Sequence, residues 1–182
     1  MRQSGFDFTP FLRQGLPAAA SLSAGLPKYN FIGGHNDPEQ IPVDALIEAA
    51  AATLRDYGSR LAIYNLGQGP LGHTRLREFL SRKLGATRGI DVSPDNILIT
   101  SGSLQAIDLV NEILLDPGDT VIIEEFTYGG TLTRLKRLGV KIVGAPLGGG
   151  GLKMDALAGI LADLKARGIR PKYIYTIPTV QN

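Results

Sequence analysis

The chain has 182 residues, 43% of them hydrophobic and 20% charged, so it can build a packed core, and its formal net charge of +2 is too small to argue for nucleic acid or an acidic membrane surface. It has no cysteine and only two histidines, His35 and His73, which excludes disulfides, zinc–thiolate sites and thiol catalysis and leaves little material for a metal site. No signal-peptide pattern is visible, and no apolar run approaches the roughly 20 residues that cross a bilayer, so a soluble, cytoplasmic protein is the expectation.

Residues 1–42 read as an irregular segment. Pro10, Pro17, Pro27, Pro38 and Pro42 interrupt any long helix, and Gly33-Gly34 adds a flexible point. A helical segment over 43–95 follows. Its first helix is expected from Asp44, as a cap, through the alanine-rich run to Tyr57, with Gly58 at a left-handed exit. Its second is expected from Thr74 to Leu84, with Leu76, Phe79, Leu80 and Leu84 on one face and Gly85 closing it.

From residue 96 to 182 strand and helix alternate. Asn96–Thr100 reads as a buried strand and Ser103–Leu115 as a helix ended by Asp116-Pro117-Gly118-Asp119. Thr120–Glu124 reads as a second strand, 129–138 as a helix closed by Gly139, and Val140–Ala145 as a third strand. Asp155 is the expected cap of a helix that ends before Gly168, and Lys172–Ile177 is a fourth strand whose edge is left open. Short connections between alternating elements predict an α/β fold, a mostly parallel sheet with helices on both faces. The glycine run 148–151 reads as a flexible turn.

Two loops resemble phosphate sites. Gly67-Gln68-Gly69-Pro70-Leu71-Gly72 matches G-x-G-x-x-G, and Asp91 lies at about the ribose-ligand distance. No full strand precedes it, however, and Pro70 lacks the amide that would face a pyrophosphate. A nicotinamide dehydrogenase is therefore the weaker reading. Thr100-Ser101-Gly102-Ser103-Leu104-Gln105 sits directly before a helix, whose first amides have no partners within the helix and attract an anion. The same pattern also suits an ordinary serine cap. At the end of the next strand Tyr128 can stack on a flat heteroaromatic ring or simply be a half-buried tyrosine. The fourth strand leads to the carboxamide of Asn182, and the three groups are expected to converge on one crevice.

These blocks, with Gly72-His73-Thr74-Arg75-Leu76-Arg77-Glu78 and the Asp116–Val121 turn, resemble the class I/II aminotransferases of the aspartate aminotransferase fold, fold type I. The resemblance runs from about Phe31 to Asn182 and is closest in flavour to the 2-aminoadipate, aromatic and branched-chain branch. It implies a pyridoxal 5'-phosphate cofactor and a homodimer that moves an amino group from an amino acid to a 2-oxo acid. It places the phosphate cup on Gly102, Ser103 and the amide of Leu104, the stacking ring on Tyr128 and the donor to the phenolate oxygen on Asn182. By the same resemblance Tyr64 reaches the phosphate of a facing subunit, and Gly34 lies in the turn that approaches the substrate carboxylate. The Schiff-base lysine is assigned to none of Lys28, Lys83, Lys136, Lys141, Lys153, Lys165 and Lys172. The chain is therefore expected to be the N-terminal part of such an enzyme and inactive alone. A lyase or decarboxylase of the same fold, or the effector domain of a transcription regulator, are the alternatives.

Overall fold

The structure is a computed structural model that describes residues 7, 9–12, 28–29, 34 and 36–178. Residues up to Asn36 form a unit separate from the one that starts at Asp37. Within the first unit a single 3-10 turn, Thr9–Phe11, is described, and Asp7 accepts a hydrogen bond of 2.9 Å from the Thr9 amide beside it. The rest of the expected irregular segment lies largely outside the described residues.

In the second unit helix α1 spans Val43–Tyr57 and α2 spans Thr74–Arg88. Both differ from expectation at their ends. Pro42, not Asp44, stands at the start of α1, and Asp44 falls in the first turn, where its charge still suits the helix dipole. Gly58 is right-handed and leads into a 3-10 turn over Gly58–Ala62, because the chain keeps coiling and needs no reversal there. Gly85 does not close α2. The helix runs one turn further, to Gly89, whose left-handed conformation lets Ile90 N–H reach back to the Leu84 carbonyl.

Helix α3, Ser103–Leu114, leads through the Asp-Pro-Gly-Asp turn into strand β1, Thr120–Glu124. Helix α4, Gly129–Arg137, returns the chain to β2, Lys141–Ala145. A two-residue Gly149-Gly150 turn then joins β3, Leu147–Gly148, to β4, Gly151–Leu152, so the glycine run expected as a flexible turn is the tip of a small antiparallel hairpin. Helix α5, Met154–Ala166, starts after Lys153, with Asp155 inside its first turn instead of capping it. Strand β5 pairs over Ile174–Tyr175 only, shorter than expected, although Lys172 N–H and the Tyr173 carbonyl extend the backbone bonding to β1.

The sheet order is β2-β1-β5, with both pairings parallel, and β1 is buried along its whole length. A strand's side chains alternate between faces, and here each set meets a helix. Val121 and Ile123 pack with Leu115 and with Leu135 of α4, while Ile122 packs with Ala145 and with Leu157 and Leu164 of α5. Helices on both faces of a parallel sheet are thus the observed architecture.

The expected first strand does not form. Ile97 is extended, at φ −111° and ψ 121°, but residues 97–100 join no ladder among the described residues. Their described backbone bond across the chain is Ile99 N–H to the Leu71 carbonyl, 3.0 Å. Extended backbone becomes a strand only when a neighbour completes its hydrogen bonds. On the far side of the sheet β5 pairs along one edge only among the described residues. Its other side and α3 enclose an apolar groove of about 330 Å³, bounded by Val110, Leu114 and Ile174. Tyr173 Oη donates to Asn111 Oδ1 there at 2.7 Å, holding α3 against β5. Burial raises the Tyr173 phenol above its ordinary value, and the nearby Tyr175 adds to the effect. No described helix is long and apolar enough to cross a membrane.

The turn before β1 knits the amino end of the sheet. Asp119 Oδ2 accepts from the Asp116 amide at 2.7 Å and pairs with Lys172 at 3.2 Å, and its carbonyl accepts from Lys141 at 2.7 Å. The Asp116 hydrogen bond holds the Asp119 carboxyl below its ordinary value of 3.8; desolvation opposes it, and the hydrogen bond and charge of Lys172 assist. A carboxyl depressed in the folded state contributes stability above its unfolded value and loses it as pH falls through the folded one. Asp119→Asn is therefore expected to flatten the loss of thermal stability below about pH 4, read as melting temperature against pH. Leu135, fully buried against β1, is expected to cost roughly 2–5 kcal/mol on truncation to alanine, measured by urea unfolding.

Candidate functional site

In a parallel sheet ligands meet the carboxyl ends of the strands, where the following helices begin. Helix α3 precedes β1 through a short turn and packs on the sheet. Its 12 residues rise about 18 Å, close to the length of the five-residue strand, so its first residue returns to the carboxyl end of β1. Helix α4 starts from the same end, five residues past Glu124. Asp108 of α3 and Arg134 of α4 form an ion pair of 2.7 Å. Each lies five residues into its helix, so the cross-link sits at equal depth, about 7.5 Å from either start. Both helices therefore start at the carboxyl end of β1.

At the first of these N-termini, Gly102 precedes α3 at φ 85° and ψ 167°, a conformation costly for any residue with a Cβ. No side chain caps the helix. Ser103 therefore enters the helix with its hydroxyl uncommitted to capping, and the first amides face outward with the positive end of the dipole. Gln105 folds back to accept from the Ser101 amide, and Thr100 Oγ1 donates to the Gly102 carbonyl, so the loop is held from both sides. An uncapped helix start with a fixed glycine before it fits an anion such as a phosphate.

Tyr128 stands at the N-cap of α4, with about half of its surface exposed. Its ring lies over Gly130, where an added Cβ would come within 2.5 Å of Cε1. Glycine at 130 thus gives the ring its seat. The ring's open side suits a flat heteroaromatic group.

The other expected site residues lie outside these two helix starts. Tyr64 is 97% exposed, on a 3-10 turn where Asn65 and Leu66 are left-handed. Gly34 is exposed in the separate first unit, and Asn182 lies outside the described residues. Lys141 begins β2 and Lys172 precedes β5, so both sit at the amino edge of the sheet, away from the rim.

Several supporting residues were not singled out from sequence. Arg77 is only 6% exposed; it donates to the Gly72 carbonyl at 3.3 Å and the Pro94 carbonyl at 2.7 Å, and pairs with Asp95 at 3.3 Å. It fixes the 71–72 loop to the turn that leads into residues 97–102. A buried arginine on an otherwise polar helix face has no local signature beyond the Gly72–Glu78 block. Gly72, at φ +96°, lies where a Cβ would meet Ile99 Cβ at 2.7 Å. Of the G-x-G-x-x-G string only Gly72 makes a close backbone approach, while Gly67 and Gly69 face open space, and no described strand leads into it. At the ends of β1, Glu124 accepts from Thr176 and Ile177, and Glu125 accepts from the Leu147 amide at 2.9 Å.

The profile of the family described as aminotransferase class I and II matches residues 33–178. The chain belongs to this family. It is 35% identical over 153 residues to 2-aminoadipate transaminase of Thermus thermophilus, covering 84% of this chain and 35% of that protein. It is 33% identical to aromatic-amino-acid aminotransferase 1 of Thermococcus litoralis, covering 89% of this chain and 36% of that one. Among solved structures it superposes on kynurenine aminotransferase of Pyrococcus horikoshii in complex with PMP with a TM-score of 0.73 and 36% identity, covering 82% of this chain and 36% of that one. The chain thus spans about a third of the length of the relatives it matches.

The Gly72–Ile99 contact yields a stability test. Gly72→Ala meets both a left-handed backbone and a 2.7 Å approach to a β-branched side chain. It is expected to cost about 1–3 kcal/mol, with the loss seen as a lower urea midpoint and unchanged steepness.

Proposed function

We propose that this chain forms the cofactor-binding front part of a pyridoxal-phosphate-dependent aminotransferase, which moves an amino group from an amino acid to a 2-oxo acid. The observation that carries the reading is the pair of helix starts at the carboxyl end of β1, both without a side-chain cap, one preceded by a left-handed glycine and the other bearing an open tyrosine ring. The rim offers an anion anchor and an aromatic platform side by side, the two ends of a phosphorylated pyridine. Family membership and the phosphopyridoxyl ligands of the relatives support the choice of this cofactor over other phosphate esters.

In this reading Gly102, Ser103 and the amide of Leu104 hold the phosphate. The amides and the hydroxyl neutralise its charge without a lysine or arginine, using the helix dipole. Tyr128 lies against the ring and keeps water from that face. Asn182 donates its carboxamide to the phenolate oxygen, fixing the ring's tilt. Tyr64, almost wholly exposed here, reaches the phosphate bound by a second copy of the protein, and Gly34 approaches the substrate carboxylate. When bound, the cofactor serves as an electron sink for the bond breaking at the substrate's α-carbon. The residues of this chain bind and orient it. In the same reading the protein is a cytoplasmic homodimer with amino acids of the 2-aminoadipate or aromatic class as donors.

The full-length gene product, incubated with pyridoxal phosphate, is expected to develop a visible absorbance band and to convert an amino donor and 2-oxoglutarate into the matching pair. Tyr128→Ala is expected to weaken cofactor binding by up to about tenfold, and Ser103→Ala by a smaller factor. A full-length protein that acquires no band and transfers no amino group would sink the reading.

A further inference from the structure

Helix α4 opens on two consecutive glycines, Gly129 and Gly130. After proline, glycine is the residue least suited to a helix, because it has the most backbone freedom to lose. Neither of the two is left-handed, so the backbone conformation does not require them. The sites differ in what surrounds them. A Cβ on Gly129 would meet nothing within 4 Å. A Cβ on Gly130 would lie 2.5 Å from Cε1, 2.8 Å from Cζ and 3.1 Å from Oη of Tyr128, and these are its three nearest atoms. Tyr128 stands at the N-cap with no capping bond from its side chain, and about half of its surface is exposed. The ring has therefore folded back over the start of its own helix, into the room that a side chain at 130 would take.

We infer that Gly130 is a positioning residue: by leaving that room empty it sets where the Tyr128 ring lies, and through the ring it sets how tightly the cofactor is held. The inference rests on the cofactor reading above, in which Tyr128 lies against the pyridine ring. Carbon atoms in ordinary contact stand about 3.5–4.0 Å apart, so a methyl added at 130 must displace the ring edge by roughly 1 Å or more. The backbone under the ring is held, because the Thr131 and Leu132 amides both donate to the Tyr128 carbonyl, at 3.1 and 3.3 Å. The ring turns on two single bonds and borders solvent, so the ring is what gives way. A small turn leaves it off its staggered position, and a full step to the next one carries it about 120° round. Either displacement moves its face from where a flat group would meet it, and aromatic stacking depends on that geometry.

The test uses the full-length protein and two readouts besides turnover: the dissociation constant for pyridoxal phosphate from equilibrium dialysis, and the urea midpoint without cofactor. Tyr128→Ala calibrates the loss when the ring is gone. Gly130→Ala is expected to weaken cofactor binding roughly three- to tenfold, and no more than Tyr128→Ala does. Its urea midpoint is expected to stay equal or rise, because alanine suits a helix better than glycine. Gly129→Ala, one residue away in open space, is expected to bind cofactor within about twofold of the parent. In a Tyr128→Ala background, Gly130→Ala is expected to cause no further loss, as for residues acting through one contact. Unchanged binding in Gly130→Ala, with Tyr128→Ala weakened, overturns the inference and spares the cofactor reading. So does a loss that persists in the Tyr128→Ala background, or one that Gly129→Ala shares. Unweakened binding in Tyr128→Ala removes the stacking contact and the inference with it. Failure of Gly130→Ala to fold assigns the glycine to the backbone and overturns the inference too.

Discussion

A parallel strand buried on both faces can offer chemistry only at its ends, and β1 imposes that constraint on the rest of the unit. Its five residues are all buried. One face is closed by α4 and the other by α5, so neither can admit a ligand. What remains is the rim at its carboxyl end. There two helices begin, their dipoles aligned with positive ends outward. The amino end is tied shut by the Asp116–Asp119 turn and by Lys141 and Lys172 bonded to it.

Both apolar and charged contacts hold the helices that start at this rim. Hydrophobic packing of Leu132 and Leu135 sets how far α4 stands from the sheet, but apolar contacts are non-directional and tolerate sliding. The Asp108–Arg134 ion pair adds a charged link between α3 and α4. The exposed helices α1 and α2 show the contrasting case. Leu46, Ile47 and Leu54 of α1 and Leu76 and Phe79 of α2 remain exposed, so amphipathic patterning alone has not found these faces a partner within the unit. What holds α2 in place is buried Arg77, which bonds carbonyls of two loops at once.

The three strand exits are coupled in the same way. Glu124 and Glu125 point to opposite sides of the sheet because successive residues alternate, and each captures an amide just beyond a neighbouring strand. Charged acceptors make stronger and shorter bonds than neutral ones, which suits positions where the ladder has run out and the chain must still be held for a few residues. The seat of Tyr128 on Gly130 belongs to the same economy: the rim is shaped by what is absent from one residue and by what a neighbour reaches.

Sequence by itself determined the alternation of elements, the course of β1 and β2, the glycine before α3 and the tyrosine before α4, because these depend on periodicity and on backbone preferences that are local. Tertiary structure alone decided that residues 97–100 are extended without a ladder, that Gly85 continues its helix while Gly89 ends it, and that the G-x-G-x-x-G loop leans on Ile99. It also decided that Asp108 finds Arg134, that Glu124 finds Thr176, and that Arg77 is buried. Pairings such as these join residues tens of positions apart, and a charged side chain carries no mark of the partner that will satisfy it. Only the packing of the sheet against its helices brings the two ends within hydrogen-bonding reach.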